Sequence, residues 1–473
     1  MMSLNPIAFG TSGYRGIVGD TFTMAHVREI SSAIGLWILA KRVYSVVIGY
    51  DPRQGNSVGV DGFPRVAATV LSDMGIAVQL VEKPVPTPLI SWFVKTQGVG
   101  GGIVFTASHN PPEYNGIKFN SPPGGPASRD VTTAIEGFIL NRPDVLVGQS
   151  APIVLVNPIP DFSDFICVYV GGLYQNSSLV PIVVDSRHGT STDVWRALDG
   201  RVGVHVIDIL HADSRPDFGG IEPNPTSKEA LDDLRLAVID RDGALGVGHD
   251  PDADRHAICD EQGVSVSPEM VAAIVLVDWV NHDIAVDGIV STVASSAILR
   301  AVCHRMGKIY LETAVGFKYF TPAFQVATTR LIGVESSGGF SVSDYLYEKC
   351  GFLPAVLVAA ISARRELTVS ELVNEIDNLV GKFVFLEDKF EFDPNRRNDV
   401  VFELEKTDSF LTLEAPESTS TIDGKKWIWS DGSWLLIRLS GTEPVGRIYA
   451  ESLSKDRTRQ LGSAGLYWAA QFR

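Results

Sequence analysis

Short apolar runs rich in β-branched residues recur along the chain, and several of them end in a polar cluster. The clearest runs are residues 45–50, 181–184, 244–248 and 331–334, which lead into Asp51, Asp185, Asp250 and Glu335. Segments with apolar residues at helical spacing, such as 24–43 and 228–239, lie between the runs. This alternation predicts α/β units built on buried, largely parallel strands.

The same pattern predicts four domains, because a chain of 473 residues is too long for a single core. We expect three α/β domains at residues 1–148, 149–260 and 261–378. From 379 to 473 the pattern changes, since strand-like runs stand among charged loops. This last segment is therefore predicted to be a smaller α+β domain.

Net charge and composition limit the classes of binding partner and the cellular compartment that the chain suits. The chain carries 40 basic and 56 acidic residues, a formal charge of −16, which repels nucleic acid and anionic membranes on average. No apolar run approaches the ~18 residues of a membrane span, and residues 1–6 show no signal peptide. The four cysteines have no paired spacing, which argues against disulfides or structural zinc. A cytoplasmic protein acting on a small molecule is expected.

The most informative segment is Thr-Ala-Ser-His-Asn-Pro at 106–111, followed by Asn-Gly-Ile-Lys-Phe at 115–119. It follows an apolar run, and the prolines at 111 and 112 exclude regular structure just after Ser108. Ser108 is therefore expected on a loop at a strand end, where open α/β sheets build their sites. A plain turn serine is the alternative. A serine hydrolase fits poorly, because there is no G-x-S-x-G elbow and His109 should point away from the Ser108 hydroxyl.

A metal site is predicted at Asp250, Asp252 and Asp254. In an extended segment these alternating carboxylates share one side of the chain, and hard oxygen ligands suit Mg²⁺. A solvated acidic loop is the alternative. An EF-hand fails because Arg255 stands where its loop requires glycine, although Glu261 occupies the twelfth position. A dehalogenase-type phosphatase also uses Asp-x-Asp after a strand, but here a third Asp and an Arg follow.

Two further loops offer groups for a sugar phosphate. Glu335 and Ser337 present an acceptor and a donor–acceptor for adjacent sugar hydroxyls, and the following glycines let the backbone come close. The second loop offers two guanidinium groups, two hydroxyls and a glycine, which is the chemistry for holding a phosphate that does not react. Its candidates are Arg438, Ser440, Gly441, Thr442 and Arg447. No Walker A motif is present, so nucleotide kinases have no support.

Taken in order, the motifs at 9–16, 106–119, 250–255, 333–339 and 438–447 resemble those of the α-D-phosphohexomutase superfamily, across almost the whole chain. The resemblance implies four domains around one deep cleft. It implies that Ser108 is phosphorylated and contributes a phosphoryl oxygen to one Mg²⁺ held by the three aspartates. The expected catalytic residues are Ser108, Lys118, His109, Arg15 and Arg255.

Within that resemblance, Lys118 is expected to be the general base or acid, because nearby cations lower the pKa of an amine toward neutrality. His109 is a proton partner, and Arg15 and Arg255 clamp the transferring phosphoryl group. Lys318 is expected to contact the sugar phosphate, since residues 312–319 resemble the V-G-F-K segment of phosphoglucomutases.

The implied activity interconverts hexose 1-phosphate and hexose 6-phosphate through phospho-Ser108 and a hexose 1,6-bisphosphate, which also activates the enzyme. Glucose phosphate is the first choice and mannose phosphate the second. A phosphoglucosamine mutase, a phosphatase and a catalytically silent sugar-phosphate-binding protein remain alternatives. A monomer or homodimer is expected.

Overall fold

The computed structural model describes residues 7–10, 13–141, 149–175, 178–410, 413–440 and 444–472. Within these residues the strands form four sheets, each covered by helices. The expected class, three α/β domains and a smaller α+β domain around a cleft, is confirmed. Over the same ranges, no helix combines the length and apolar character that crossing a bilayer requires.

Domain I contains the loop of Ser108. Its strands are β1 (Tyr14–Ile17), β2 (Ser45–Tyr50), β3 (Ala77–Val81), β4 (Gly102–Phe105), β5 (Tyr114–Ser121), β6 (Gly125–Pro126) and β7 (Ile153–Val156). Its helices are α1 (Met24–Ala40), α2 (Phe63–Asp73), α3 (Thr87–Gln97) and α4 (Arg129–Leu140). The sheet order is β1-β5-β4-β2-β3-β7, with β2, β3, β4 and β7 parallel and β5 antiparallel to β4. The Ser108 loop therefore connects β4 to β5 at the end of the sheet where β4 finishes.

Domain II carries the loop of the three aspartates, residues 250–255, which is the metal loop, between two adjacent strands. Its elements are α5 (Ile159–Leu173), β8 (Val180–Asp185), α6 (Thr192–Leu198), β9 (Val204–Leu210), α7 (Lys228–Asp240), β10 (Leu245–His249), β11 (His256–Asp260) and β12 (Ser265–Val266). The described strands order as β12-β11-β10-β8-β9. β8, β9 and β10 are parallel, whereas β11 returns antiparallel to β10. The β10–β11 connection is the aspartate loop.

Two strands lie across the domain divisions expected near residues 148 and 260. β7 comes after the first division but pairs with β3 of domain I. β12 comes after the second but pairs with β11 of domain II. In both cases hydrogen bonding to the preceding sheet assigns the strand, which the local apolar pattern does not reveal.

Domain III carries the sugar-loop candidates. Its elements are α8 (Pro268–Asn281), β13 (Val286–Thr292), α9 (Ile298–Arg305), β14 (Ile309–Thr313), α10 (Thr321–Val326), β15 (Arg330–Val334), β16 (Phe340–Val342), α11 (Phe352–Arg365) and α12 (Val369–Val380). The described strands order as β14-β13-β15-β16, with only β16 antiparallel. The loop of Glu335 joins β15 to β16.

Domain IV is an antiparallel sheet with helices on it. Its elements are β17 (Val384–Glu391), α13 (Arg397–Lys406), β18 (Ser418–Ser420), β19 (Lys425–Ile428), β20 (Trp434–Leu439), β21 (Val445–Ser452) and α14 (Lys455–Ala469). The described strands order as β17-β21-β20-β19-β18. α14 packs on β17, β20 and β21. The loop between β20 and β21 holds the phosphate-binding candidates.

Helix α11 ties domains II and III together. Residues 352–362 of this helix are all buried, and it contacts β8 and β11 of domain II as well as β16 and α8 of domain III. A helix that is apolar on every side is stable only when it is enclosed on every side. The longest apolar run of the chain is thus an internal packing element that fixes the metal loop beside the sugar loop.

Candidate active site

Ser108 lies buried at the carboxyl end of β4, with its hydroxyl beside the metal loop. Its backbone has φ of 51°, a left-handed conformation that costs free energy for a residue with a side chain. The Ser108 N–H donates to the Thr106 hydroxyl at 2.8 Å. The Ser108 hydroxyl donates to Asp250 Oδ2 at 2.8 Å. The structure therefore brings the expected nucleophile into contact with the expected metal ligands.

His109 lies closer to the serine than the sequence suggested. Its Nδ1 is 3.5 Å from Ser108 Oγ, because the left-handed turn at Ser108 brings the two side chains together. Burial first, and then Arg255 and Arg15, lower the pKa of His109 to about 2. The imidazole is therefore neutral at physiological pH. The expectation that it points away from the hydroxyl is wrong for this loop.

The metal loop is a turn, and the expected extended segment is wrong. Residues 251 and 252 form a turn, the chain bends at Ala253, and Ala253 has φ of 48°. The three carboxylates still converge, because one oxygen of each of Asp250, Asp252 and Asp254 lies within 4.8 Å of the others. The carboxylates therefore lie together because the chain turns at this loop, and not because alternate residues of a strand face the same side.

Two carboxylate oxygens of this cluster are suited to a cation. Asp252 Oδ1 and Asp254 Oδ1 are buried and have no hydrogen-bond partner among the described residues. Burial, and then the charges of Asp252 and Asp254, raise the pKa of Asp250 above its usual range. Buried like charges with unpaired oxygens are stabilised by a bound cation, and three hard oxygen donors suit Mg²⁺. The donor set therefore fits the predicted metal.

Backbone hydrogen bonds from all three α/β domains hold the metal loop. Thr87 N–H donates to the Asp252 carbonyl at 2.9 Å, and Thr190 N–H donates to the Pro251 carbonyl at 3.0 Å. Gly351 N–H donates to the Ala253 carbonyl at 3.1 Å. A Cβ on Gly351 would lie 2.3 Å from the Arg255 carbonyl oxygen, so only glycine allows this approach.

Lys118 reaches the metal loop from β5. Its ammonium is 2.6 Å from Asp252 Oδ2 and 2.8 Å from Asp254 Oδ2, and its side chain is 6% exposed. Burial lowers the pKa of Lys118, but the carboxylates of Asp252 and Asp254 outweigh it, and the net pKa is raised. Among the described residues the nearest charges to Lys118 are these carboxylates, and they hold its pKa above the ordinary value; the shift toward neutrality expected beside a metal and a phosphate stays a prediction.

Lys349 is a second lysine at the metal loop, and the sequence did not single it out. Its Nζ lies 3.2 Å from Asp254 Oδ2, and its side chain is 8% exposed. A Cβ on Gly339 would meet Lys349 Cδ at 2.6 Å, so the lysine stem occupies the space beside that glycine. The available signal was a charged pair, Glu348-Lys349, standing directly before the longest apolar run.

The loop of Glu335 is joined to the metal loop by backbone contacts. Arg255 and Gly339 form an isolated antiparallel bridge, and His256 N–H donates to the Gly338 carbonyl at 2.9 Å. Burial raises the pKa of Glu335, and Lys349 partly opposes that effect. Ser337 is half-buried in the same loop. These contacts place the sugar-loop candidates next to the reacting groups.

In domain IV, Arg438 and Arg447 are cross-strand partners on β20 and β21. Arg438 Nε lies 2.6 Å from Asp423 Oδ2, which also accepts from Val315 N–H of domain III at 3.0 Å. Arg447 NH1 lies 2.6 Å from Glu387 Oε1. Ser440 N–H donates to the Val445 carbonyl at 2.8 Å. The remaining candidates, Gly441 and Thr442, lie outside the described residues.

One cleft of 2480 Å³ brings the candidates together. The predicted residues that line it are Arg15, His109, Arg255, Glu335, Ser337, Arg438, Ser440 and Arg447. A small adjoining recess is lined by Lys118, Lys318 and Lys349, and it shares Phe317 with the cleft. The candidate cations therefore line the cleft and its recess, in a chain that is acidic overall.

Comparison with known families agrees with this architecture. Four family models of phosphoglucomutase/phosphomannomutase match in chain order: alpha/beta/alpha domain I at residues 6–144, domain II at 168–263, domain III at 267–379 and the C-terminal domain at 395–463. Together they cover most of the chain.

Individual relatives match over nearly their whole length. A phosphoglucomutase/phosphomannomutase of Thermococcus kodakarensis is 29% identical, with 97% of each chain covered. A phosphoglucosamine mutase of a Bradyrhizobium species is 30% identical, with 96% of each covered. A crystal structure from Thermus thermophilus, assigned as a phosphomannomutase, has a TM-score of 0.83 at 26% identity and covers 99% of this chain and 100% of its own. The chain belongs to the phosphoglucomutase/phosphomannomutase family and is a phosphohexomutase-type enzyme, an intramolecular phosphotransferase.

Proposed function

We propose that this enzyme interconverts glucose 1-phosphate and glucose 6-phosphate, with mannose phosphates as second substrates. The observation that carries the proposal is the contact of the buried Ser108 hydroxyl with Asp250, at 2.8 Å, in the three-carboxylate cluster, next to a cleft that Arg15, His109 and Arg255 line. A serine in that position can be phosphorylated only beside strong positive charge.

Mg²⁺ fits the oxygens of Asp250, Asp252 and Asp254 together with a phosphoryl oxygen on Ser108. When bound, the ion neutralises charge on the transferring phosphoryl group. Lys118 pairs with two of the same carboxylates, those of Asp252 and Asp254, at 2.6 and 2.8 Å. Its affinity for a proton therefore depends on how far these carboxylates are engaged by the ion instead of by its ammonium group. This dependence supports Lys118 as the group that takes and returns the proton of the sugar hydroxyl.

In the proposed first step, a sugar hydroxyl oxygen attacks the phosphorus of phospho-Ser108. The new O–P bond forms as the bond to Ser108 Oγ breaks, and the hydroxyl proton passes by way of Lys118, acting as the neutral amine, to the Ser108 oxygen, which leaves as a hydroxyl. The bisphosphate then turns within the cleft. Its other phosphoryl group returns to Ser108 Oγ, and the proton returns to the sugar oxygen. Atoms and charge balance over the cycle.

Arg15 and Arg255 hold the transferring phosphoryl group in this scheme. Arg15 NH1 donates to Asn110 Oδ1 at 2.6 Å, which points its guanidinium along the serine loop. Arg255 Nε lies 3.9 Å from both Asp250 Oδ2 and Asp254 Oδ1, between the metal loop and the cleft. His109, neutral and 3.5 Å from Ser108 Oγ, is the proton partner at the serine side.

The opposite end of the substrate is assigned to domain IV. Arg438, Ser440 and Arg447 line the same cleft from domain IV, whereas the three carboxylates of the metal cluster belong to domain II. This loop, with Gly441 and Thr442, holds the phosphate that does not react. Lys318, Glu335 and Ser337 contact the sugar.

Glucose is favoured because residues 312–319 resemble the V-G-F-K segment of phosphoglucomutases. Mannose phosphate is an alternative, since the relatives include phosphomannomutase-type proteins. Glucosamine phosphate is a further alternative, since the Bradyrhizobium relative is named a phosphoglucosamine mutase. A catalytically silent binding protein is disfavoured, because Ser108, Lys118 and the carboxylates are all in contact.

The test is a coupled assay with the three sugar 1-phosphates, Mg²⁺ and glucose 1,6-bisphosphate, with Ser108→Ala as control. Glucose 1-phosphate should give the highest kcat/KM, and Ser108→Ala should be inactive. A higher kcat/KM for glucosamine 1-phosphate would replace the glucose assignment. Inorganic phosphate as the main product would indicate a phosphatase, and no product with any sugar would indicate a silent binding protein.

We further propose a cytoplasmic location and a monomer or homodimer. All four cysteines are buried free thiols, which fits a reducing compartment. Analytical ultracentrifugation of the purified protein would reveal any larger assembly.

A further inference from the structure

Arg53, directly after β2, is fully buried and has all five of its N–H donors paired. Its Nε donates to Asp51 Oδ2 at 3.1 Å, with both side chains 0% exposed. The other four donors go to backbone carbonyls of one short segment: Ser108 at 2.5 Å, Asn110 at 2.6 Å, Pro111 at 2.7 Å and Tyr114 at 2.9 Å. Five is the full donor capacity of a guanidinium.

This arrangement sets the shape of the serine loop. Carbonyl dipoles that point at one spot repel each other unless a cation lies there, and burial excludes water as a substitute. The four carbonyls belong to residues 108–114, which connect the nucleophile to β5. The guanidinium therefore acts as the template around which this loop folds.

Asp51 extends the template to the backbone of Ser108 itself. Asp51 Oδ2 accepts from the Thr106 hydroxyl at 2.6 Å, and Thr106 Oγ1 accepts from Ser108 N–H at 2.8 Å. Ser108 is thus held from its N–H through Asp51 and from its carbonyl through Arg53. Its left-handed φ of 51° is fixed from both sides.

Domain II contacts the same guanidinium. The ring of Phe218, itself fully buried, lies 4.8 Å from Arg53 Cζ. Phe218 begins a short 3₁₀ segment, Phe218–Gly220, that lies between β9 and α7 of domain II. A guanidinium face on an aromatic ring is favourable when it is desolvated. Arg53 therefore joins the serine loop to the domain that carries the aspartates.

From these contacts we propose that Arg53 is a positioning residue for phosphoryl transfer, which holds Ser108 Oγ toward the metal loop without touching the substrate. This inference rests on the proposed function, in which Ser108 carries the phosphoryl group. Loss of the template would let Ser108 relax out of its left-handed conformation. The hydroxyl would then leave Asp250, while the sugar and phosphate contacts of domains III and IV would stay.

The chain offers a matched control in domain II. Arg187 follows β8 as Arg53 follows β2, is equally buried, and lies 3.0 Å from Asp185 Oδ2. Arg187 also donates to the carbonyls of Glu222 and Ala230, and among the described residues none of its hydrogen bonds goes to the serine loop. Arg187→Lys therefore removes a buried guanidinium of the same kind and leaves the contacts of Arg53 with the serine loop in place.

The experiment compares wild type, Arg53→Lys and Arg187→Lys below the unfolding temperature of all three. Both variants should unfold at lower temperature. Only Arg53→Lys should lose kcat, by about a hundredfold, since a misplacement near 1 Å costs about that much. Its KM for glucose 1-phosphate should change less than about threefold, because its substrate contacts are intact. After incubation with glucose 1,6-bisphosphate, its phosphorylated fraction should also be lower.

A second variant covers the case in which Arg53→Lys does not fold. The pair Asp51→Asn with Arg53→Gln leaves no unpaired buried charge, so it is better tolerated, yet it also removes the template. It should show the same selective loss of kcat. Wild-type kcat in either folded variant, or an equal loss in Arg187→Lys, would overturn the positioning role. If wild type itself neither accepts phosphate on Ser108 nor turns over, the proposed function fails and this inference fails with it.

Discussion

Replacing Arg438 by alanine should weaken substrate binding and leave phosphorylation of Ser108 intact. Arg438 lines the cleft on β20, and its side chain is 22% exposed. Its Nε is held at 2.6 Å by Asp423, whose second contact is Val315 N–H at 3.0 Å. Val315 precedes the short helix of Lys318. The variant therefore removes one phosphate contact and loosens the link between domains III and IV.

The expected size follows from the chemistry of the lost contact. A hydrogen bond to a charged group is worth about 1.5–3 kcal/mol. Lost from substrate binding, this energy raises the dissociation constant by roughly ten- to over a hundredfold. Because Arg438 is only partly exposed, little of the effect should be lost to solvent screening. Among the described residues Arg438 pairs with Asp423 and not with the carboxylate cluster, so Mg²⁺ affinity should not change.

Three measurements separate these effects. Isothermal titration with glucose 6-phosphate gives the sugar-phosphate affinity, a Mg²⁺ titration gives the metal affinity, and the intact mass gives the fraction of Ser108 that is phosphorylated. Arg457→Ala is the control, since Arg457 pairs with Glu414 and Asp431 within domain IV and does not line the cleft. Asp423→Asn keeps an acceptor for Val315 and should show a smaller effect than Arg438→Ala. Unchanged sugar-phosphate affinity in Arg438→Ala, with metal or phosphoserine lost instead, would refute the assignment of this loop.

Three further predictions follow from the described contacts. Excess chelator should abolish turnover, and Asp252→Asn should lower Mg²⁺ affinity and kcat together, because Asp252 Oδ1 has no other partner among the described residues; full activity in chelator would remove the metal from the mechanism. Lys349→Met should lower kcat more than tenfold with a similar unfolding temperature, as expected for a charge-assisted contact at the reacting centre, whereas unchanged kcat would make Lys349 a packing residue. Glu269→Gln should increase stability above pH 7: burial raises the pKa of Glu269 from 4.5 to about 7. The free energy of unfolding of wild type therefore falls by on the order of 3 kcal/mol as the pH rises from 4.5 to 7. Denaturant titrations would contradict this if wild type and Glu269→Gln differed in unfolding free energy by the same amount at pH 4.5 and at pH 8.

The fold was predictable because each α/β domain repeats one local pattern. Apolar runs followed by a charged residue located β2, β8, β10 and β15 and placed their loops at sheet edges. β7 and β12 follow the divisions expected near residues 148 and 260 but pair with the sheets that precede those divisions. Each is a short strand whose place is decided by long-range hydrogen bonds, and no local pattern records those.

The candidate site was predictable where the motif itself carries the chemistry. The aspartates and Ser108 come together as expected, although through a turn rather than an extended segment. Lys349 and Arg53 were missed, because a single basic residue in a sequence is ordinarily a surface charge. Their importance appears only in the contacts with Asp254 and with the serine loop. The pKa of Lys118 also depends on which charges surround it in space.

The central claim is that Ser108 carries the phosphoryl group between the two ends of one sugar, and a single-turnover transfer tests it most directly. Enzyme labelled with ³²P at Ser108 is separated from free bisphosphate and mixed with unlabelled glucose 6-phosphate and Mg²⁺. The account predicts that the label appears first in glucose 1,6-bisphosphate and then in glucose monophosphate, with Ser108→Ala taking up no label. Label released directly as inorganic phosphate, or mutase turnover in Ser108→Ala, would contradict it.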